Sequence, residues 1–295
     1  MLKETSWLVL GGSGQLGRTL QDHLVDQGIR YFAPPRKDLD LTSATNVAEC
    51  IDFYSPSVIV NCAAWTNVDK AEKYESDALL INGYAAEYIA NSAKKNNSTL
   101  IHVSTDYVFS GEGKKPWKEN DLLEPKTAYG RTKKFAESII NDIYPENSFI
   151  FRTAWLYSKY GNNFVKTVCS KAFENSEALS IVNDQIGQPT LANDLSRQLV
   201  LAIKQGIEPG IYHGTNSGQA TWYDFATEIF TLIGQDKNRI KPIPSSNLQR
   251  PATRPHFSVL GHDKWLEKDL PKMRDWRIAL KSSITNILKS SVIGA

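Results

Sequence analysis

The stretch AYGRTKK, residues 128–134, sets Tyr129 and Lys133 four positions apart. On a helix, residues at that spacing share one face. An ammonium beside a phenol favours the phenolate and draws the tyrosine down from its usual pKa of about 10. A phenol tuned in this way can hand a proton to a developing oxyanion. The same pair also occurs on ordinary solvated helix faces, so its meaning depends on the elements that position it.

Short apolar runs alternate with longer amphipathic ones. WLVLG (7–11), SVIVNCAA (57–64), LIHVST (100–105) and FIFRTAW (149–155) are continuous rather than alternating. They predict buried strands of a parallel sheet covered on both faces. Between them, QLGRTLQDHLVDQG places Leu16, Leu20, Leu24 and Val25 on one helical face and stops at Gly28. DALLINGYAAEYIANSAKK and YGRTKKFAESIINDI read as further helices. This order predicts an α/β fold, a Rossmann-like doubly wound parallel sheet. Past about residue 155, Asn, Gln, Gly, Pro and aromatic residues become frequent. Residues 1–154 are therefore expected to form a dinucleotide-binding domain. Residues 155–295 are expected to be mainly a smaller substrate-binding lobe, partly interleaved with the first.

LVLGGSGQLGRTL supplies glycines directly after the first strand and at the start of the first helix. Gly12, Gly14 and Gly17 fit one dinucleotide spacing; Gly11, Gly14 and Gly17 fit another. Either allows a tight turn, close approach of a pyrophosphate to the helix N-terminus, and close helix–strand packing. The acid that an NAD-specific protein places after its second strand is absent, and Pro34, Pro35, Arg36 and Lys37 stand there instead. Arg36 is expected either to hold a 2′-phosphate or to be a solvated loop residue.

The rest of the composition sets bounds. A net charge of +2 over 295 residues gives no nucleic-acid footprint. The three cysteines, Cys50, Cys62 and Cys169, have no metal or redox spacing and suit a reducing compartment. The N-terminal apolar run is too short for a signal peptide, and no stretch is long enough to span a membrane. The expectation is a cytoplasmic protein with no membrane and no nucleic-acid partner. His102, in an apolar strand, reads as a core histidine, and Trp222 and Tyr223 read as core packing at a helix start.

A glycine turn, a Tyr-x-x-x-Lys helix, and Ser104 and Thr105 at the end of the preceding strand together resemble the short-chain dehydrogenase/reductase superfamily. GGSGQLG, VNCAAWTNVDKAE, STDYVFSGEG, YGRTK, FRTAWLY, DQIGQPT, TWYDFA and PATRPHFSVL follow one another nearly end to end. Together they resemble the dTDP-4-dehydrorhamnose reductase family. That resemblance implies a cytoplasmic NADPH- or NADH-dependent reduction of dTDP-4-dehydrorhamnose to dTDP-L-rhamnose, serving cell-surface polysaccharide synthesis. It implies Thr105, Tyr129 and Lys133 as catalytic residues, with Tyr129 the proton donor. It implies cofactor contacts from Gly11, Gly14, Gln15, Leu16, Gly17, Arg36, Asp40, Leu41, Ala64, Trp65, Thr66, Val103, Tyr129 and Lys133. Substrate contacts would come from Thr105, Asp106, Tyr129, Trp155 and Arg254, with Asn163 and Gln185 as further contacts of no fixed role.

The chain departs from the family pattern in places. Some members join two subunits through Mg²⁺ held by glutamates, and the matching positions here are Thr19 and Asn193. No metal is therefore expected, and the protein is expected to be a monomer or homodimer. Phe257 and Val259 replace the Asn and Arg common around Ser258. Two alternatives stay open: a related 4-keto sugar-nucleotide reductase of talose or fucose type, and a non-catalytic subunit like the regulatory one of methionine adenosyltransferase.

Overall fold

The continuous apolar runs become strands with both faces covered. In a computed structural model, which describes residues 5–174 and 176–292, six strands form the central sheet. They are Ser6–Leu10 (β1), Arg30–Phe32 (β2), Val58–Asn61 (β3), Thr99–Thr105 (β4), Ser148–Thr153 (β5) and Gly210–His213 (β6). All neighbours pair in parallel, in the order β6-β5-β4-β3-β1-β2. Alternate side chains enter two separate cores. Trp7, Val9, Val58, Val60, Ile101, Phe149 and Phe151 face the helices Gln15–Asp26 and Ala192–Lys204. Leu8, Leu10, Ile59, Leu100 and Ile150 face the helices Ala44–Tyr54, Ala85–Asn96 and Ala128–Ile143. This is the doubly wound architecture expected from the sequence.

The chain runs outward from β1 to β2, then crosses back to lay β3 on the other side of β1. Loops leaving β1 and β3 therefore diverge at the carboxyl ends of the strands, where sheets of this kind bind ligands.

Residues past 155 serve two structures. The helix Ala192–Lys204 and β6 complete the central sheet and its cover. Helices Phe164–Glu174, Trp222–Leu232 and Trp276–Val292 pack around a second core that includes Tyr157, Val165, Phe225, Phe230 and Trp276.

Two local expectations are corrected. Leu16, Leu20 and Leu24 are buried, but Val25 is 63% exposed. One residue further turns the side chain by about 100°, off the stripe that meets the sheet. The 77–95 stretch is not one regular helix: a π-helical turn, Leu80–Tyr84, interrupts it. Among the described residues, no helix is long and apolar enough to cross a membrane.

Candidate active site

A cavity of about 1110 Å³ opens at the carboxyl ends of β1, β3, β4 and β5. Its floor is the glycine turn. Gly11 takes φ +74°, and a Cβ there would lie 2.6 Å from the Ala63 amide nitrogen, so only glycine fits. Gly14 begins the helix Gln15–Asp26 and caps it with no side chain, leaving its first-turn amides for an anion. Gly14, Gln15 and Leu16 line the cavity; Gly17 does not. A Cβ on Gly17 would sit 2.4 Å from Gly11 O, so its part is to let the helix close on the turn. The Gly11–Gly14–Gly17 spacing is thus the one with both special positions. Gln15 also accepts from Asn163 Nδ2 (2.9 Å) and donates to Leu156 O (3.2 Å), tying the turn to the second lobe.

After β3, Ala64, Trp65 and Thr66 form one wall. Asn82 holds that wall: its Oδ1 accepts from the Trp65 amide (2.8 Å), and its Nδ2 donates to Thr132 Oγ1 (3.0 Å). Asn82 lies in the π-helical turn, a feature frequent beside functional sites.

The opposite wall carries Thr105, Tyr129 and Lys133. Thr105 ends β4, accepts from the Tyr107 amide (3.2 Å) and donates to Asp106 Oδ1 (3.1 Å). The helix Ala128–Ile143 starts at Thr127, whose Oγ1 accepts from the Gly130 amide (3.0 Å). Gly130 presses on the preceding wall so closely that a Cβ would lie 2.3 Å from Tyr107 O. That approach brings Tyr129 against Tyr107, ring centroids 5.7 Å apart. Further along, Glu137 pairs with Arg152 of β5 (2.6 Å), both 1% exposed, and accepts from Ser104 Oγ of β4. This buried pair locks the helix in register with the two strands.

Lys133 turns toward β4. Its Nζ donates to Val103 O (2.7 Å) and lies 2.9 Å from His102 Nε2. Burial holds the lysine down at about 8, opposed by Glu137. The phenol is not drawn down as the helix spacing suggested. Burial pushes Tyr129 up to about 12; the Thr105 hydroxyl works against this, and Asp106 adds to it. Spacing along a helix fixes which face a lysine occupies, not where its long stem points. Burial also pushes Asp106 up to about 6, with the Ser258 and Thr105 hydroxyls holding it back.

Trp155 closes the far end. It adopts φ +45°, rare for a bulky residue, and stacks on Trp222 at 3.5 Å between centroids. Gly187 backs its ring: a Cβ there would come within 2.6 Å. Trp222 is therefore more than core filling, since it props a residue of the cavity wall. The outer rim is the loop after β2, where Arg36, Asp40 and Leu41 line the opening. Asp40 accepts from the Thr42 amide and hydroxyl, which hold its carboxyl below the usual range.

Arg254 is not among the lining residues. Its guanidinium grips Asp69 (2.7 and 2.9 Å) and joins the 250s loop to the helix Val68–Lys73. Thr19 and Asn193 face a separate cavity of about 330 Å³, whose one carboxylate, Asp22, is paired with Lys159 (2.9 Å). Among the described residues, no group of three or more His, Cys, Asp or Glu could hold a metal. The sequence did not single out Asn61, Asn82 or the His102–Lys133 contact. All three depend on register between segments far apart in the chain.

Comparison with known proteins agrees with this geometry. A family model described as RmlD substrate binding domain matches residues 5–289. The chain is 42% identical to dTDP-4-keto-6-deoxy-D-glucose reductase of Streptomyces niveus, over 93% of this chain and 94% of that one. It is 41% identical to dTDP-4-dehydrorhamnose reductase of Streptomyces griseus, over 94% and 92%. The crystal structure of dTDP-4-dehydrorhamnose reductase from Bacillus anthracis in complex with NADP superposes with a TM-score of 0.92 at 33% identity, covering 96% of this chain and 99% of that one. With its parallel sheet, glycine turn and Thr105–Tyr129–Lys133 wall, the chain belongs to the RmlD substrate binding domain family and is a Rossmann-fold oxidoreductase.

Proposed function

We propose that this protein reduces dTDP-4-dehydrorhamnose to dTDP-L-rhamnose with NADPH or NADH, Tyr129 giving the proton to the sugar O4. The observation that carries this reading is that one cavity joins the glycine turn to Thr105, Tyr129 and Lys133. The turn fits a dinucleotide: Gly11 leaves room where a Cβ would strike backbone, and the first-turn amides beyond Gly14 carry no side-chain cap. When bound, the reduced nicotinamide supplies the hydride. The chain supplies the rest. Gly14, Gln15 and Leu16 hold the pyrophosphate. Ala64, Trp65, Thr66 and Val103 line the cofactor's path, and Arg36 faces the adenine ribose.

On the chemistry wall, the Thr105 hydroxyl orients the carbonyl and Tyr129 donates. A phenol held near 12 stays protonated until negative charge builds on O4. Because the most effective catalytic acid has a pKa near working pH, positive charge brought close to the phenol must lower it as the proton moves to O4. Charged Lys133 steadies the resulting phenolate. Trp155 and Asp106 bound the sugar, and residues 155–295 form most of the nucleotide-binding lobe. Arg254 acts through Asp69 and the loop it anchors. The free cysteines Cys50, Cys62 and Cys169 fit a reducing, cytoplasmic setting, as a monomer or homodimer.

The test is to mix the protein with NADPH and dTDP-4-dehydro-6-deoxy-L-mannose, follow the loss of nicotinamide absorbance, and identify the product by NMR. Unchanged absorbance with this and related keto sugars overturns the reading in favour of a binding subunit. A second reading has its own support. Identities of 42% and 41% to reductases of two different 4-keto sugars do not separate the substrates. Faster reduction of dTDP-4-keto-6-deoxy-D-glucose than of dTDP-4-dehydrorhamnose, or a product epimeric to rhamnose, would select a related 4-keto sugar-nucleotide reductase.

A further inference from the structure

The hydrogen bonds around Lys133 do not balance when it is charged. Asn61 ends β3 and lies beside His102 of β4 in the parallel register. Asn61 Oδ1 accepts from the Ala63 amide at 3.1 Å. This turns the Asn61 amino group to His102 Nδ1, 3.2 Å away. An amide NH₂ only donates. Nδ1 must therefore accept, and the proton of the neutral ring must sit on Nε2. That N–H points at Lys133 Nζ, 2.9 Å away, while Nζ itself donates to Val103 O at 2.7 Å.

A neutral amine has one lone pair, which can receive the His102 proton. An ammonium has none and meets the N–H donor to donor. Moving the ring proton to Nδ1 transfers the conflict to the Asn61 amino group. Turning that amide over transfers it again, to the Ala63 N–H. Each arrangement with a charged Lys133 leaves one donor facing another. His102 cannot relieve this by changing charge, since it is 1% exposed and burial holds its pKa well below the usual value.

We propose that His102 is a positioning residue for the reduction: fixed by Asn61 as an Nε2–H donor, it makes charged Lys133 cost a hydrogen bond and so sets the pH at which that charge appears beside Tyr129. The proposal rests on the reductase reading for the use of the charge, but not for its existence. The groups facing Lys133 are His102 from β4, Cys62 from the segment after β3, and Glu137 on its own helix; Tyr129 lies one helical turn before it and lines the same cavity. Glu137 favours the charge and His102 opposes it; burial keeps the Cys62 thiol protonated over the range in which Lys133 titrates, so it adds no charge. As the pH rises, the proton Lys133 loses leaves through the cavity to solvent, and His102 keeps its own.

Imidazole ¹⁵N–¹H correlation spectra of the full chain test the tautomer directly, with His102 assigned through His102→Gln. The expected result well above the lysine midpoint, where the amine is neutral, is a protonated Nε2 and a bare Nδ1. A protonated Nδ1, or a charged ring, at that pH overturns the proposal whether or not the chain turns over any sugar. The second readout is the lysine itself, followed by ¹³Cε titration and by kcat/KM against pH. In the native chain both should show a midpoint near 8, activity falling above it. His102→Gln offers a carbonyl oxygen to the ammonium and should raise both midpoints by about one pH unit or more. Unmoved midpoints in a folded His102→Gln protein mean that His102 merely fills the core. If that variant does not fold, the native tautomer still decides.

Discussion

The two sides of the cavity are built on different physics. The wall bearing Tyr129 is held by contacts that leave no freedom: the Glu137–Arg152 pair sits at 1% exposure, and Gly130 lies where a Cβ would overlap Tyr107 O. The rim bearing Arg36 and Asp40 is an exposed loop, shaped by hydrogen bonds within Asp40–Thr42. Groups that move protons must be placed to within a fraction of an ångström. Groups that choose between phosphate and hydroxyl need only present charge, which water and salt then weaken. Substitutions on the wall should therefore act strongly and locally, and those on the rim weakly and in a salt-dependent way.

The sharpest test of the wall is Tyr129→Phe. The ring and its packing on Tyr107 remain, and the proton is lost. Turnover should fall by about 10²- to 10⁴-fold while NADPH binding, measured by fluorescence titration, is retained. Near-normal kcat would remove Tyr129 from the chemistry. Next is Glu137→Gln, which leaves Arg152 charged and buried without its partner. Breaking a buried pair from one side costs about 3–5 kcal/mol, readable by urea unfolding. A loss under about 1 kcal/mol would mean that the wall is not held by this pair.

Asp106→Asn gives a smaller effect with a definite sign. Burial raises the native carboxyl to about 6, above its unfolded value of about 4. The native state therefore holds the proton more tightly. The associated stability is fully present below about pH 4 and is lost as the pH rises through 6. Asn keeps the Thr105 contact without this loss. The variant should gain about 2–3 kcal/mol over the native chain between pH 4 and pH 7. Parallel stability–pH curves would contradict the buried carboxylate. The rim should respond least. Arg36→Ala should lower the NADPH:NADH ratio of kcat/KM by about two- to fivefold, and the change should shrink in high salt. An unchanged ratio would make Arg36 a solvated residue; a large, salt-independent one would erase the contrast between wall and rim.

What could be read before the structure follows the same division. Thr105, Tyr129, Lys133 and the glycine turn are local patterns, each set by spacing within a single strand or helix, and all but Gly17 line the cavity. The four inner strands were legible because they are apolar without alternation; the edge strands β2 and β6, RYF and GIYH, are short and only partly buried and carry no such run. The supports of the site were not legible. Asn61 meets His102 only through the β3–β4 register, Trp222 meets Trp155 across 67 positions, and Arg254 meets Asp69 across 185. Asn82 reaches Trp65 from a π-helical turn that no periodicity in DALLINGYAA announces. The direction of the Tyr129 shift was missed for a related reason. Desolvation is a property of the assembled wall, not of the pair of residues.

The order in which the sheet is completed bears on how the chain leaves the ribosome. β6 pairs with β5 but is encoded some 57 residues after it, and the covering helix Ala192–Lys204 lies between them. While residues 154–213 are still being synthesised, β5 presents an unpaired edge, and Phe149 and Phe151 lack the cover of Leu195 and Leu199. An exposed strand edge beside bare aromatic rings is a template for association with other chains. Nascent chains stalled in that interval, or truncated before residue 213, are therefore expected to be the forms of this protein most prone to association.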